Sequence, residues 1–128
     1  MNTLQLYSLG KQHVANFLGV FPINKIPPVL NVGSLIVNTH THNLAGQHWI
    51  AVHVGLHCVD VFDPLGYYYP LLLVNFAHSF NRPVHYNRIM YQQPDLPTCG
   101  QHCLSWLSSI NERNGCFLIN NGSILYRF

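Results

Sequence analysis

Carboxylates are the scarcest chemistry in this chain. Asp60, Asp63, Asp95 and Glu112 are the whole supply among 128 residues. Charged residues of both signs make up 8%, about a third of the usual share of roughly 25%. A catalytic carboxylate must therefore be one of four. Basic residues are few as well: six Lys and Arg, for a net charge of +2 with His neutral. The dense basic stripe that marks a nucleic-acid face is excluded. Lys11, Lys25, Arg82 and Arg88 are the only cations far from the tail, and each reads as a solvated surface charge.

Long hydrophobic runs are missing too. The longest, around YYYPLLLVNFA, is too short and too interrupted to span a bilayer. The opening MNTLQLYSLGKQH lacks a basic segment followed by a long apolar run, so no secretory signal is read there. A soluble intracellular protein is the expectation. In a reducing compartment its four cysteines are expected to be free, metal-bound or catalytic rather than disulfide-paired. Internal repeats and low-complexity segments are absent.

What is present is apolar. Hydrophobic residues make up 48%, enough for a real core, and the length fits one domain spanning residues 1–128. Tyr7 to Gly19 has weak helical character. Phe21 to Gly33 carries Pro22, Pro27 and Pro28 and reads as a loop. Ser34 to Thr39 reads as a short buried strand and His40 to Gly46 as a loop. The run QHWIAVHVGLHCVDVFDPLG holds two β-rich stretches flanking Gly55-Leu56, which suits a two-residue type II′ hairpin. Pro70 to Phe80 is apolar at helical spacing, and Pro83 ends it. Val84 to Gln92 reads as a strand, Gln93 to Thr98 as a turn and Cys99 to Asn114 as a helix with Cys103, Trp106, Leu107 and Ile110 on one face. Cys116 to Phe128 reads as a β-like tail. The order is α+β, an antiparallel or mixed sheet with a helix packed against it.

A hairpin turning at Gly55-Leu56 pairs residues whose numbers sum to 111. His48 and Asp63 then lie opposite each other on one face, with Cβ atoms about 4.5–5.5 Å apart. Asp60 pairs with Ala51 and points to the other face. A carboxylate beside an imidazole fixes its tautomer and favours the imidazolium, so the ring can take a proton from a thiol. The competing reading is an ordinary cross-strand polar pair.

The thiol in question is Cys99. It sits between a Pro-containing turn and a helix, where backbone N–H groups and the helix dipole favour a thiolate. Gly100 leaves room for a substrate backbone. Gln92 or Gln93 can aim an amide N–H at a developing oxyanion, with the Cys99 N–H as second donor. The competing reading makes Cys99 simply buried, with Cys103 read as a core residue of the helix and Cys58 as a structural strand residue. A zinc site from Cys99, His102, Cys103, His57 and Cys58 lacks the paired short spacings of a zinc ribbon. No metal cofactor is expected. His13, His40, His42, His53, His78 and His85 share no face or spacing.

Taken together, GQHWIAV, VFDPLG and QQPDLPTCGQHC run in the order His, acid, Gln, Cys. This resembles the adenovirus-type cysteine proteases (adenain) and their relatives in Polinton-like elements and other DNA viruses, and more distantly the SUMO-deconjugating proteases. NFLGVF and SLIVNTHTHNLAGQHWIAV extend the likeness upstream, so that it runs from about Asn16 to about Leu107. The resemblance implies an adenain-like cysteine protease fold. It implies His48 as general base, Asp63 as the acidic member, Cys99 as nucleophile and Gln92 as oxyanion donor. Gln92 follows from a Gln-x-Pro pattern; the Gln-Pro pattern of the SUMO proteases selects Gln93. It further implies a viral maturation endopeptidase that cuts capsid and core precursors at Gly-containing sites, in the infected-cell nucleus and the virion. An activating viral peptide and DNA are the partners that come with the family. Phe80 to Ile89, where the peptide's disulfide would form, has no cysteine, so a covalent link is not expected. Adenain continues with further helices after the catalytic one. The rival functions are an isopeptidase for a ubiquitin-like modifier and a non-catalytic descendant that binds a capsid partner.

Overall fold

The computed structural model describes residues 2–29, 31–39, 48–64, 69–87 and 99–110, at position 99 the backbone. Its elements are α1 (Thr3–His13), β1 (Phe17–Pro22), a 3₁₀ turn (Ile23–Lys25), β2 (Gly33–Asn38), β3 (Trp49–Val54), β4 (Val59–Phe62), α2 (Leu71–His78), β5 (Val84–Tyr86) and α3 (Cys99–Ile110). The five strands form one mixed sheet in the order β1-β2-β3-β4-β5. β1–β2 and β4–β5 are parallel, while β2–β3 and β3–β4 are antiparallel. The α+β class read from the sequence is therefore correct, with a mixed sheet.

Every residue of β3 and β4 is buried, because helices cover both faces. Trp49, Ala51 and Phe62 join Leu6 of α1 and Cys103, Trp106, Leu107 and Ile110 of α3 in one core. Ile50, Val52, Val54, Val59 and Val61 join Leu73 and Ala77 of α2 in the other. The odd and even positions of β3 thus serve different cores, as strand alternation requires.

α1 begins with a capping box. Asn2 Oδ1 accepts from the Gln5 N–H and Gln5 Oε1 accepts from the Asn2 N–H, both at 2.9 Å, which satisfies two of the helix's orphan donors. Lys11 and His13 stand in its last turn, at the favourable end of the dipole. The Lys11 ammonium donates to Phe17 O at 2.8 Å, so it ties α1 to β1 rather than only facing solvent. The sequence placed this helix at Tyr7 to Gly19, too late. Asn16 is left-handed at φ 54°, and β1 follows at once.

The sequence pattern alone reads β1 as helix end and loop. Among the described residues it is an edge strand paired with β2, a place that tolerates Pro22. Gly19, at φ 140°, lies where the register with β2 slips. Gly and Pro in six residues hid a strand that only pairing with β2 sustains.

The β3–β4 connection also differs from the expectation. Residues 55–58 form it, closed by the Gly55 N–H on Cys58 O at 2.9 Å. Val54 pairs with Val59 and Ala51 with Phe62, so paired numbers sum to 113, two more than a two-residue turn predicts. Asp60 therefore pairs with His53, not Ala51. Arg82 braces the connection by donating to Gly55 O, and to Asn31 O and Oδ1 at 2.8 Å. The reading of Arg82 as a solvated surface charge is corrected accordingly.

α3 packs on β3. The Trp106 ring stacks on Phe62 at 5.0 Å and 14°, and Cys103 Sγ donates to Trp49 O at 3.4 Å. Phe62 is level with Ala51, so α3 advances in the same direction as β3. Its first residue, Cys99, accordingly lies at the end of the sheet where β3 begins.

One glycine tests the packing of α1. A Cβ at Gly10 would fall 2.2 Å from the Phe17 ring. Overpacking costs about 1–3 kcal/mol, against the roughly 1 kcal/mol that Ala gains over Gly in a helix. Gly10→Ala is expected to lower stability in urea denaturation; a stabilised variant would contradict this packing.

Candidate active site

His48 precedes β3, and Asp63 follows β4. The His48 carbonyl accepts from the Thr39 N–H at 3.0 Å and from Thr39 Oγ1 at 3.3 Å, so the β2–β3 ladder continues one step past Asn38 and holds the His48 backbone. His48 Nε2 lies 2.5 Å from Asp63 Oδ1, with side chains 14% and 0% exposed. The register sum of 113 puts Asp63 level with Ile50, so the two are diagonal rather than directly opposite. A diagonal separation of about 7–8 Å is within reach of a long side chain. The shift is by two residues and the side-chain period is two, so both groups stay on one face.

An ionised carboxylate accepts only, so Nε2 carries the proton it donates. The lone pair of the neutral ring then resides on Nδ1. Protonation of Nδ1 gives an imidazolium directly against the Asp63 carboxylate, which stabilises it.

Asp63 is held from behind by Asn87, which the sequence did not single out. Asn87 Oδ1 accepts from the Asp63 N–H at 2.7 Å and Asn87 Nδ2 donates to Asp63 O at 2.6 Å. The side-chain amide thus acts as one more strand partner beyond Tyr86, the end of β5. The Tyr69 hydroxyl lies 2.6 Å from both Asn87 O and Asn87 Oδ1. Burial, then the Asp63 charge, push the Tyr69 hydroxyl pKa far up, so it remains a donor at all ordinary pH. No short motif marks Asn87 or Tyr69; their role depends on β5 lying beside β4.

Cys99 opens α3, whose direction places it at the His48 end of the sheet. A helix N-terminus there supplies N–H donors and a positive dipole end. Gln92 and Gln93 lie outside the described residues, as do the segments 40–47, 88–98 and 111–128 to which loop, strand, turn and tail readings were given. His102, on the same first turn as Cys99, is half-buried, and burial lowers its pKa.

Two cysteines depart from or refine the expectation. Cys58 is disulfide-bonded, against the reading that the cysteines are unpaired, and it is thereby withdrawn as a thiolate ligand from the zinc reading. Cys103 is buried, with its thiol on Trp49 O. Among the described residues, no group of three or more His, Cys, Asp or Glu is placed to hold a metal ion. No described helix is long and apolar enough to cross a membrane.

A second polar group sits at the other end of the hairpin. Ser34 Oγ lies 2.9 Å from His53 Nδ1, and His53 pairs across strands with Asp60. All three are buried. The sequence treated His53 as scattered, because its neighbours come from β2 and β4.

A scan against protein-family models finds no match to this chain, and no curated protein matches it.

Two outcomes follow from these contacts. Asn87→Ala strands the buried Asp63 N–H and is expected to cost about 1–3 kcal/mol in urea unfolding, while Tyr69→Phe costs about 1 kcal/mol; equal stability of Asn87→Ala and wild type would remove the clamp. Burial lowers the His53 pKa from 6.5, so below that pH the unfolded chain binds the extra proton and acid favours unfolding. His102 acts with the same sign. Between pH 7 and 5, His53→Gln is expected to flatten the fall in stability by up to about 1.4 kcal/mol per pH unit; an unchanged slope would assign the acid sensitivity elsewhere.

Proposed function

We propose that this chain is a cysteine endopeptidase with an adenain-like fold, in which Cys99 is the nucleophile and His48 its base. The observation that carries the reading is the 2.5 Å contact of His48 Nε2 with buried Asp63. It leaves Nδ1 as the basic nitrogen of the ring, and a base must present a lone pair to its thiol. The start of α3 at Cys99, on the same end of the sheet, supports the partnership.

His48 Nδ1 takes the Cys99 proton. The thiolate attacks the scissile carbonyl carbon, whose π electrons move to oxygen and form a tetrahedral oxyanion. Gln92, with Gln93 as the alternative, and the Cys99 N–H donate to that oxygen. His48 returns the proton to the leaving amine as the C–N bond breaks. Water, deprotonated by the same nitrogen, then releases the acyl group and restores the thiol. Asp63 holds the ring and its transient charge throughout.

The resemblance to the adenovirus-type proteases supplies the substrate side of the proposal. Substrates are capsid and core precursors of a DNA virus, cut beside small residues such as Gly during virion maturation in the infected nucleus. An activating peptide and DNA are the corresponding cofactors.

The test is the alkylation rate of each cysteine from pH 5 to 9, read by mass spectrometry. Cys99 is expected to react fast well below the ordinary thiol pKa of about 8.5, and His48→Ala to abolish this. On a cleaved Gly-containing precursor peptide, Cys99→Ala and His48→Ala are expected to be inactive and Asp63→Asn slower by about 10²–10⁴-fold. A Cys99 no more reactive than Cys103, with activating peptide and DNA present, would end the proposal.

A further inference from the structure

We infer that the disulfide partner of Cys58 is Cys116, so that the bond ties the chain following α3 to the β3–β4 connection. The chain has four cysteines. Cys58 is disulfide-bonded and the Cys103 thiol is on Trp49 O, which leaves Cys99 and Cys116 as candidates.

The direction of α3 decides between them. Cys58 lies in the connection that joins Val54 to Val59, where Cys58 O accepts from the Gly55 N–H. That is the far end of β3 from Trp49, about 20 Å away at a strand rise of about 3.3 Å per residue. Cys103 is held at Trp49 O, and Cys99 is one helical turn farther out still, by about 6 Å. A disulfide needs Cα atoms about 4.4–6.8 Å apart. Cys99 is at the wrong end of the sheet.

The other end of α3 runs the right way. From Cys103, level with Trp49, to Ile110 the helix advances about 10 Å toward the connection. Cys116 follows Ile110 by six residues, a reach of up to about 20 Å. It can meet Cys58 with no movement of the sheet or the helix. Arg82 pins the connection through Gly55 O and the Asn31 oxygens, so the anchor is set in fixed backbone.

The bond closes one loop that contains α2, β5 and α3, and so restrains the elements that carry Asn87 and Cys99. It forms when the Cys58 and Cys116 thiols give up two protons and two electrons to a small-molecule disulfide, which is reduced to two thiols. The inference rests on topology and not on the protease chemistry, although it leaves Cys99 unpaired as that chemistry requires.

The full chain is equilibrated with oxidised glutathione, alkylated under denaturing conditions and digested without reductant. A Cys58–Cys116 linked peptide is expected, with Cys99 and Cys103 alkylated. Reduction is expected to shift the thermal midpoint downward in wild type and to leave Cys58→Ser and Cys116→Ser unmoved. A Cys58–Cys99 peptide, or four alkylated cysteines, would overturn the inference. A Cys58–Cys116 peptide alongside an inert Cys99 would instead count against the protease reading and leave this one standing.

Discussion

The pairing of β3 with β4 is the constraint on which the rest hangs. Val54 with Val59 and Ala51 with Phe62 set which side chains share a face and at what height. Phe62, level with Ala51, becomes the platform for Trp106, and that stack fixes where α3 lies. Asp63, one residue beyond Phe62, falls within reach of His48 for the same reason. A slip of one residue would send Asp63 to the α3 side and Phe62 to the α2 side, because the side-chain period is two. Both the core and the polar pair would be lost together.

The His48–Asp63 pair also shows how a chain so poor in charge handles one. A carboxylate with no exposure costs several kcal/mol unless it is paired. Asp63 is placed at a strand end, where its backbone groups need partners as well. Asn87 supplies those partners from β5, and Tyr69 caps Asn87 in turn. The network therefore runs outward from the Asp63 backbone through two neutral groups. Neutral partners orient without competing with the imidazole for the carboxylate's field.

The helices divide the work between two cores. α2 covers the face that holds Ile50, Val52 and Val61 and contributes no group to the polar pair. α1 and α3 cover the other, with Gly100 of α3 close enough to Leu6 that a Cβ there would sit 2.9 Å from its methyl. That close approach seats the first turn of α3 against α1. The N-terminal end of α3 is thus positioned by packing on two sides, and a reacting group at its start inherits that rigidity.

Much was legible from residues alone. The scarcity of acids confined any catalytic carboxylate to four positions, and alternation within QHWIAVHVGLHCVDVFD put Asp60 and Asp63 on opposite faces. The helical spacing of Cys103, Trp106, Leu107 and Ile110 located α3, and Leu71 to His78 was found in the same way. These are local properties, fixed by strand and helix periods. Tertiary structure alone decided the others. β1 is a strand only because β2 lies beside it, despite Gly19 and Pro22. The four-residue connection at 55–58 set a register two residues away from the expected one and gave Asp60 to His53. Asn87 and Tyr69 reach Asp63 because a parallel strand returns from α2 to the edge of β4. Cys58 is bonded although nothing near it in the sequence marks it for pairing. In each case the deciding partner is distant in sequence, and a periodic pattern carries no information about distant partners.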